Sequence, residues 1–421
     1  MLRRAGVFAV AALIALAGCR PAGPFGGAAS PGGIPTSEPV VRVGVAVDAP
    51  RVEISASSPY ELVVPGTETR ISAGAGEVWT FTADEAGRVL GRNAAGRTLG
   101  PVSAMVRIDP SEGGRVLIDG RPFRGGALVR SAGPGRLTAV NLVALESYLL
   151  GVVPRELGPR PPSEIEAVKA QAVAARTYAI ATLGSRERYG FDVFATIEDQ
   201  VYGGEEAEDS VASRAVRETR GEVVTYRGTP ILAYYHSTCG GRTAAVEEVW
   251  PRPPQPYLKS VSDEIGRSGR YYCDFSNRFR WSVTWSGAEL VTVLARTLVG
   301  VAGAPPESVR RITNVSVTGR TPSNRVEAVR VVVDGGEYVI RGDSTRWLLA
   351  PPSGGILNSS RFELRQDRSG GEVVRLVVEG GGWGHGVGMC QVGAIGRARA
   401  GHDYRRILRA YYRDTEVTRL Y

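Results

Sequence analysis

From Arg136 to Ile180 the chain reads RLTAVNLVALESYLLGVVPREL and then GPRPPSEIEAVKAQAVAARTYAI, and this stretch fixes the plan of what lies around it. TAVNLVAL reads as a strand that feeds two helices. In the first, Leu145, Tyr148, Leu149 and Val152 recur at helical spacing, and Pro154 is predicted to end it, leaving Glu156 in the joining turn. The second is predicted to start after Pro161 and Pro162, where Ser163 and Glu166 have capping-box spacing. Ile165, Val168, Ala172, Ala175 and Ala179 then give it a narrow face of small residues that can lie close to a neighbour. A carboxyl held between two packed helices is desolvated, which favours the protonated form a general acid needs. Spacing alone favours reading Glu156 as a solvated surface residue.

The rest of the chain divides around this pair. Arg3 and Arg4 precede an apolar stretch from Ala5 to Ala17, which suits a secretory signal rather than a spanning helix. Leu16-Ala17-Gly18-Cys19 then has the form of a bacterial lipobox with Cys19 as the lipidated residue; an uncleaved anchor or an ordinary signal are the alternatives. The reading is residues 1–18 as signal, 19–40 as a Pro/Gly-rich tether, and a working part outside the cytoplasm, anchored to the membrane by lipid and facing the cell wall. Residues 41–135 and 281–380 are short strands punctuated by Gly and Pro, the latter with one helix near Ala288–Leu298. Residues 136–280, completed by a glycine-dense loop and helix over 381–421, form the core. The fold class is therefore α+β, a helical core with a carbohydrate groove flanked by β-rich lobes. The formal charge of +8 comes almost wholly from arginine, Lys169 and Lys259 being the only lysines. No dense basic cluster with interleaved aromatics occurs, which excludes nucleic acid as partner.

Cys239, Cys273 and Cys390 remain once Cys19 is set aside, with His236, His385 and His402. His236 heads the loop Ser237-Thr238-Cys239-Gly240-Gly241, whose hydroxyls can face a sugar. Three thiolates and the His236 imidazole would complete a closed structural zinc site, His236, Cys239, Cys273 and Cys390, with no position left open for water. One disulfide with a spare thiol, or three unlinked thiols, are the other readings of an odd count outside the cytoplasm.

Three separated blocks resemble the family of sporulation stage II protein D and the amidase enhancer LytB. They are ESYLLGVVPREL with IEAVKAQAVAARTYAI, YYHSTCGGRT with PYLKSV, and GGWGHGVGMCQVGAIGRARAG with ILRAYY. The segment Asp199-Gln200-Val201-Tyr202-Gly203 is also similar to the family's, and Gln200 and Tyr202 either face a groove or form a polar turn in water. The resemblance implies a lytic transglycosylase of peptidoglycan. Glu156 would protonate the oxygen between N-acetylmuramic acid and N-acetylglucosamine, then take the proton of the muramic C6 hydroxyl, leaving 1,6-anhydro ends without consuming water. A glycosidase of the usual kind needs two carboxylates, and these blocks supply one. Gln171, Arg176, Gln200, Tyr202, His236, Ser237, Thr238, His385 and Gln391 would position the glycan. No cofactor is expected in the chemistry, any zinc being structural. An N-acetylmuramoyl-L-alanine amidase acting first on the same strands is the implied partner. The alternative is a chain that binds glycan and enhances such an amidase without cutting. Leu157 stands where the family has Met, an apolar swap of similar volume.

Overall fold

The computed structural model describes residues 34–102 and 105–421; the lipobox and Cys19 lie outside them. Its class is α+β, with β-rich lobes on either side of a central helical region. Strand Arg136–Ala144 runs antiparallel between Val40–Ala49 and Gly126–Gly133, with Val43 opposite Asn141 and Val129 opposite Ala139. These belong to a seven-stranded sheet, and a six-stranded sheet containing Val52–Ala56 and Trp79–Ala83 lies against it. Alternation builds the interface: in Val52–Ala56 every second side chain is buried, and Trp79 and Phe81 do the same on the neighbouring strand. Gly135 is in the hairpin turn that leads into strand Arg136–Ala144 and Arg136 is that strand's first residue, and one hydrophobic cluster runs from Val41 to the helices without a break.

Helix α1 (Leu145–Leu157) starts where that strand ends. It does not stop at Pro154: the helix continues to Leu157 and is closed by Gly158, at φ 72°, whose N–H donates to Pro154 O at 2.9 Å. The ring removes one helical hydrogen bond close to the end, and burial of Tyr148, Leu149, Val152 and Val153 outweighs that loss. Glu156 therefore sits on the last turn of α1 rather than in a loop. Helix α2 (Ile165–Thr182) follows a short 3-10 turn, Pro162–Glu164, and its start carries no side-chain cap. The expected capping box does not form because Glu166 is engaged elsewhere, with Lys169 Nζ at 2.9 Å and the Tyr404 N–H at 2.9 Å.

The alanines of α2 are buried on almost every side, not along one face. Small side chains let α1, α3 (Ser210–Glu218) and the strand Glu222–Tyr226 all close on it. A second hydrophobic core, built on Trp285, Leu294, Val329, Leu348 and Val378, joins two three-stranded sheets to α4 (Gly287–Ala302) and α5 (Ser344–Leu348). A capping box does form at α4, with Ser286 Oγ accepting from the Glu289 N–H and Glu289 accepting from the Ser286 N–H. The chain then returns to the first core through α6 (Gln391–Arg399) and α7 (Tyr404–Tyr411), both of which pack on α2. Among the described residues no helix is long and apolar enough to cross a membrane.

Candidate functional site

Two constellations meet at the short parallel pairing of Tyr235–His236 with Met389–Cys390. The first surrounds Glu156. Its Oε1 accepts from the Val201 N–H at 2.7 Å and its Oε2 from Gln391 Nε2 at 3.5 Å, while Gln391 Nε2 also donates to Gln171 Oε1 at 3.3 Å. Gly151 makes the first contact reachable: a Cβ there would lie 2.7 Å from Gly204 O and from the Tyr202 ring, so only glycine lets the 201–204 segment lie on α1. Burial pushes the Glu156 carboxyl up from 4.5 to about 7, against the lowering pull of the Val201 amide, Gln391 and Tyr235.

This shift has a measurable consequence. The folded chain keeps a proton on Glu156 that the unfolded chain releases above about pH 4.5, so stability falls as pH rises toward 7 and is level beyond it. The loss amounts to about 1–3 kcal/mol, discounted for the part of the carboxyl that water reaches. Glu156→Gln removes this pH dependence. Urea midpoints of the two proteins should converge near pH 5 and separate by pH 8, with the variant more stable; parallel curves would show a solvated carboxyl.

The other expected sugar contacts divide into those near Glu156 and those beneath it. Gln171 and Gln200 are fully buried. Gln200 donates to Ala175 O at 3.3 Å and to Tyr235 Oη at 2.8 Å, and accepts from the Tyr148 hydroxyl. Tyr202 is turned into the core, where its hydroxyl donates to Asn141 Oδ1 at 2.9 Å. Arg176 does not reach the site, contrary to expectation: its side chain is wholly buried and paired with Glu146, its Nε and Nη2 donating at 2.8 and 2.7 Å. Ser237 is partly exposed beside Thr238, and Thr238 pairs by its backbone with the exposed Trp383.

His236 Nδ1 donates to Val387 O at 3.2 Å, and His385 Nε2 donates to Tyr235 O at 2.8 Å while its Nδ1 accepts from the Val387 N–H. Burial lowers His236 to about 4 and His385 to about 3, so both are neutral rings that brace the loops.

The second constellation is a cluster of Cys239, Asp263, Cys273 and Cys390, all buried, with ligand atoms within 4.8 Å of one another. Asp263, which no motif in the sequence marked, stands where His236 was expected. Cys239 Sγ and Cys273 Sγ are 3.5 Å apart, far beyond a disulfide bond, and all three thiols are free. Thiolates about 2.3 Å from a zinc ion at tetrahedral angles would be about 3.8 Å apart, so the donor set fits that metal. The surroundings fit as well. Asp263 Oδ1 is held by the Tyr411 hydroxyl at 2.8 Å and Arg397 Nη2 at 3.1 Å, while Oδ2 lies 3.7 Å from Cys239 Sγ. Gly393 leaves room for it, since a Cβ there would be 2.4 Å from Oδ2. Backbone N–H groups of Cys239 and Gly393 donate to Cys390 Sγ, each at 3.2 Å. Four protein donors make a closed site that would tie the 239 loop, the 263–273 segment and the start of α6 together, without an open position for chemistry.

Comparison with known proteins fits this arrangement of helices and loops. The family model described as stage II sporulation protein matches residues 134–226, and one described as a domain of unknown function matches 267–388. The stage II sporulation protein D of Bacillus amyloliquefaciens is 31% identical over 297 residues, 66% of this chain and 76% of that protein. The amidase enhancer of Bacillus subtilis is 32% identical over 306 residues, 64% of this chain and 40% of that protein, so the match spans less than half of the enhancer. An uncharacterized protein of Brachyspira hyodysenteriae is 33% identical over 282 residues, 67% of this chain and 68% of its own length. The chain belongs to the stage II sporulation protein D and LytB (amidase-enhancer) family.

These relatives correct the expectation of a lytic transglycosylase. The activity named among them is enhancement of an amidase, not cleavage of glycan to anhydro ends. The metal cluster is closed, and neither described cavity is lined by Glu156, so the expected carbohydrate groove is not seen at that residue.

Proposed function

We propose that the chain is a non-catalytic glycan-binding enhancer of an N-acetylmuramoyl-L-alanine amidase, working outside the cytoplasm from a lipid-anchored N-terminus. Its 32% identity to a protein named amidase enhancer carries the reading. The polar groups around Glu156 suit the part. A carboxyl already holding an amide N–H, beside Gln391, offers acceptors and donors to sugar hydroxyls, and among the described residues no second carboxylate bonds to it. Gln171, Gln200 and Tyr202 support that surface from below, and the β-rich lobes at 41–135 and 281–380 act as its supports.

The test combines the metal-loaded chain with a purified amidase on cell-wall sacculi. Peptide release should rise several-fold over amidase alone, and glycan strand length should stay the same with or without the chain. Glu156→Ala should weaken sedimentation with sacculi and reduce the stimulation in step. Failure to sediment with sacculi, or stimulation that is absent while binding is intact, overturns the proposal.

A further inference from the structure

Arg325 stands just ahead of the strand Val326–Val333 in the second core, and its backbone is fixed there: its N–H donates to Thr321 Oγ1 at 3.3 Å and its carbonyl accepts from the Thr321 N–H at 2.9 Å. The side chain turns inward and is 1% exposed. It ends against the loop that leads to Met389–Cys390, where a Cβ on Gly386 would lie 2.1 Å from Nη2 and 2.3 Å from Cζ. Gly386, at φ 89°, is thus both the residue this backbone favours and the one that leaves the guanidinium its place.

Among the described residues none of the guanidinium nitrogens, Nε, Nη1 or Nη2, has a hydrogen-bond partner. Burial lowers the group to about 10, which still leaves a cation with five N–H donors at neutral pH. A buried charge with neither counter-charge nor acceptors is among the costliest arrangements a fold can hold. The groups around it do not supply what is missing. Asp343 is the carboxylate that acts on it, and that carboxylate is bonded to Arg346 at 3.1 Å. The rings of His236 and His385 sense the guanidinium and are neutral, and Arg361 adds a second cation. Cys239 is the thiol that acts on it, yet no guanidinium nitrogen bonds the sulfur. A divalent ion held by three thiolates and Asp263 would leave two negative charges. Arg397, which donates to Asp263 at 3.1 Å, and Arg361, on which Cys239 and Cys273 both act, meet those charges without Arg325. Water can accept the N–H groups but carries no charge.

We propose that Arg325 holds a small monovalent inorganic anion, of the chloride class, enclosed between the second core and the 384–387 loop. Such an ion accepts from several guanidinium N–H groups at once, cancels the charge, and is small enough to be sealed in a packed interior. The same loop runs on into Cys390, a donor of the metal cluster, and Gln391, which reaches Glu156. The anion therefore clamps the second core to the segment on which both constellations depend. This inference does not rest on glycan binding.

The test melts the metal-loaded chain in rising sodium chloride, with sodium gluconate holding the ionic strength constant. The melting temperature should climb by roughly 2–4 °C per tenfold rise in chloride once the site is filling. A crystal grown in bromide should show an anomalous peak beside the Arg325 nitrogens. Arg325→Met keeps the length of the side chain and removes its charge, so it should melt at the same temperature in both salts and show no bromide there. Zinc content is measured in both proteins. A melting temperature that follows ionic strength alone, or a chloride response that Arg325→Met keeps, overturns the proposal. If Arg325→Met fails to fold or loses its zinc, the bromide crystal of the wild type decides. A peak at Arg325 upholds the anion; a peak at the metal cluster instead, or none, overturns it and leaves the guanidinium to balance the thiolates.

Discussion

Cys273→Ser is expected to release the bound metal and to lower the melting temperature by ~10 °C or more. The cluster it belongs to joins three segments, and its donors are fully buried. Without a metal the chain holds three thiols and the Asp263 carboxyl in one dry space, with burial raising the carboxyl to about 7. Metal binding converts that unfavourable packing into cross-links worth several kcal/mol, less than in a zinc finger because a large hydrophobic core stands beside it. Thermal melts of the wild type with and without a strong chelator, and of Cys273→Ser, should show the same drop. Elemental analysis should find about one zinc per wild-type chain. A variant that melts with the wild type, from a chain that carries no metal, would leave the cysteines as ordinary buried side chains.

Arg176→Ala should be the most damaging single change outside the cluster, destabilising the chain by ~3–5 kcal/mol. The guanidinium is wholly buried and bonds Glu146 through two nitrogens, with further donations to Glu222 O and Val216 O. Glu146 also accepts from the Tyr421 hydroxyl and the Gly221 N–H, so removing Arg176 strands a carboxylate among donors that cannot neutralise it. Burial alone would raise the Glu146 carboxyl, and Arg176 together with the Tyr421 hydroxyl and the Gly221 N–H more than offsets that, holding it below the ordinary 4.5. The pair therefore stabilises the fold above that pH and its contribution fades in acid. Replacing both partners, Glu146→Leu with Arg176→Met, should cost less than Arg176→Ala alone, because no charge is left unpaired. Urea midpoints of the three proteins at neutral pH decide it; equal midpoints for Arg176→Ala and the wild type would mean water reaches the pair.

Much of this architecture was legible in the sequence because it is written in local patterns. The small residues of α2, the apolar alternation of the strands and the helical spacing near Ala288–Leu298 each act within a few positions of themselves. What was not legible depends on partners far along the chain. Pro154 reads as a stop until Gly158 and the packed face of α1 are known, and Glu166 reads as a cap until Tyr404 is found waiting for it. Arg176 looked like a sugar contact because it lies in a motif; only the fold shows Glu146 thirty residues away in sequence facing it. Among the metal donors the cysteines announce themselves by type, whereas Asp263 is one acid among many until Tyr411 and Arg397 are seen to orient it.

Cys390 is at once a sulfur donor of the cluster and the N-cap of α6, the helix whose first residue, Gln391, reaches Glu156. The metal cluster and the proposed glycan contact therefore share one peptide bond. A preparation purified over chelating resin, or left to oxidise, would keep its spectroscopic helix content yet lose grip on glycan, and the failure would be misread as a weak ligand. Metal content is for this chain a specification of the reagent, to be measured before any binding constant is compared between laboratories.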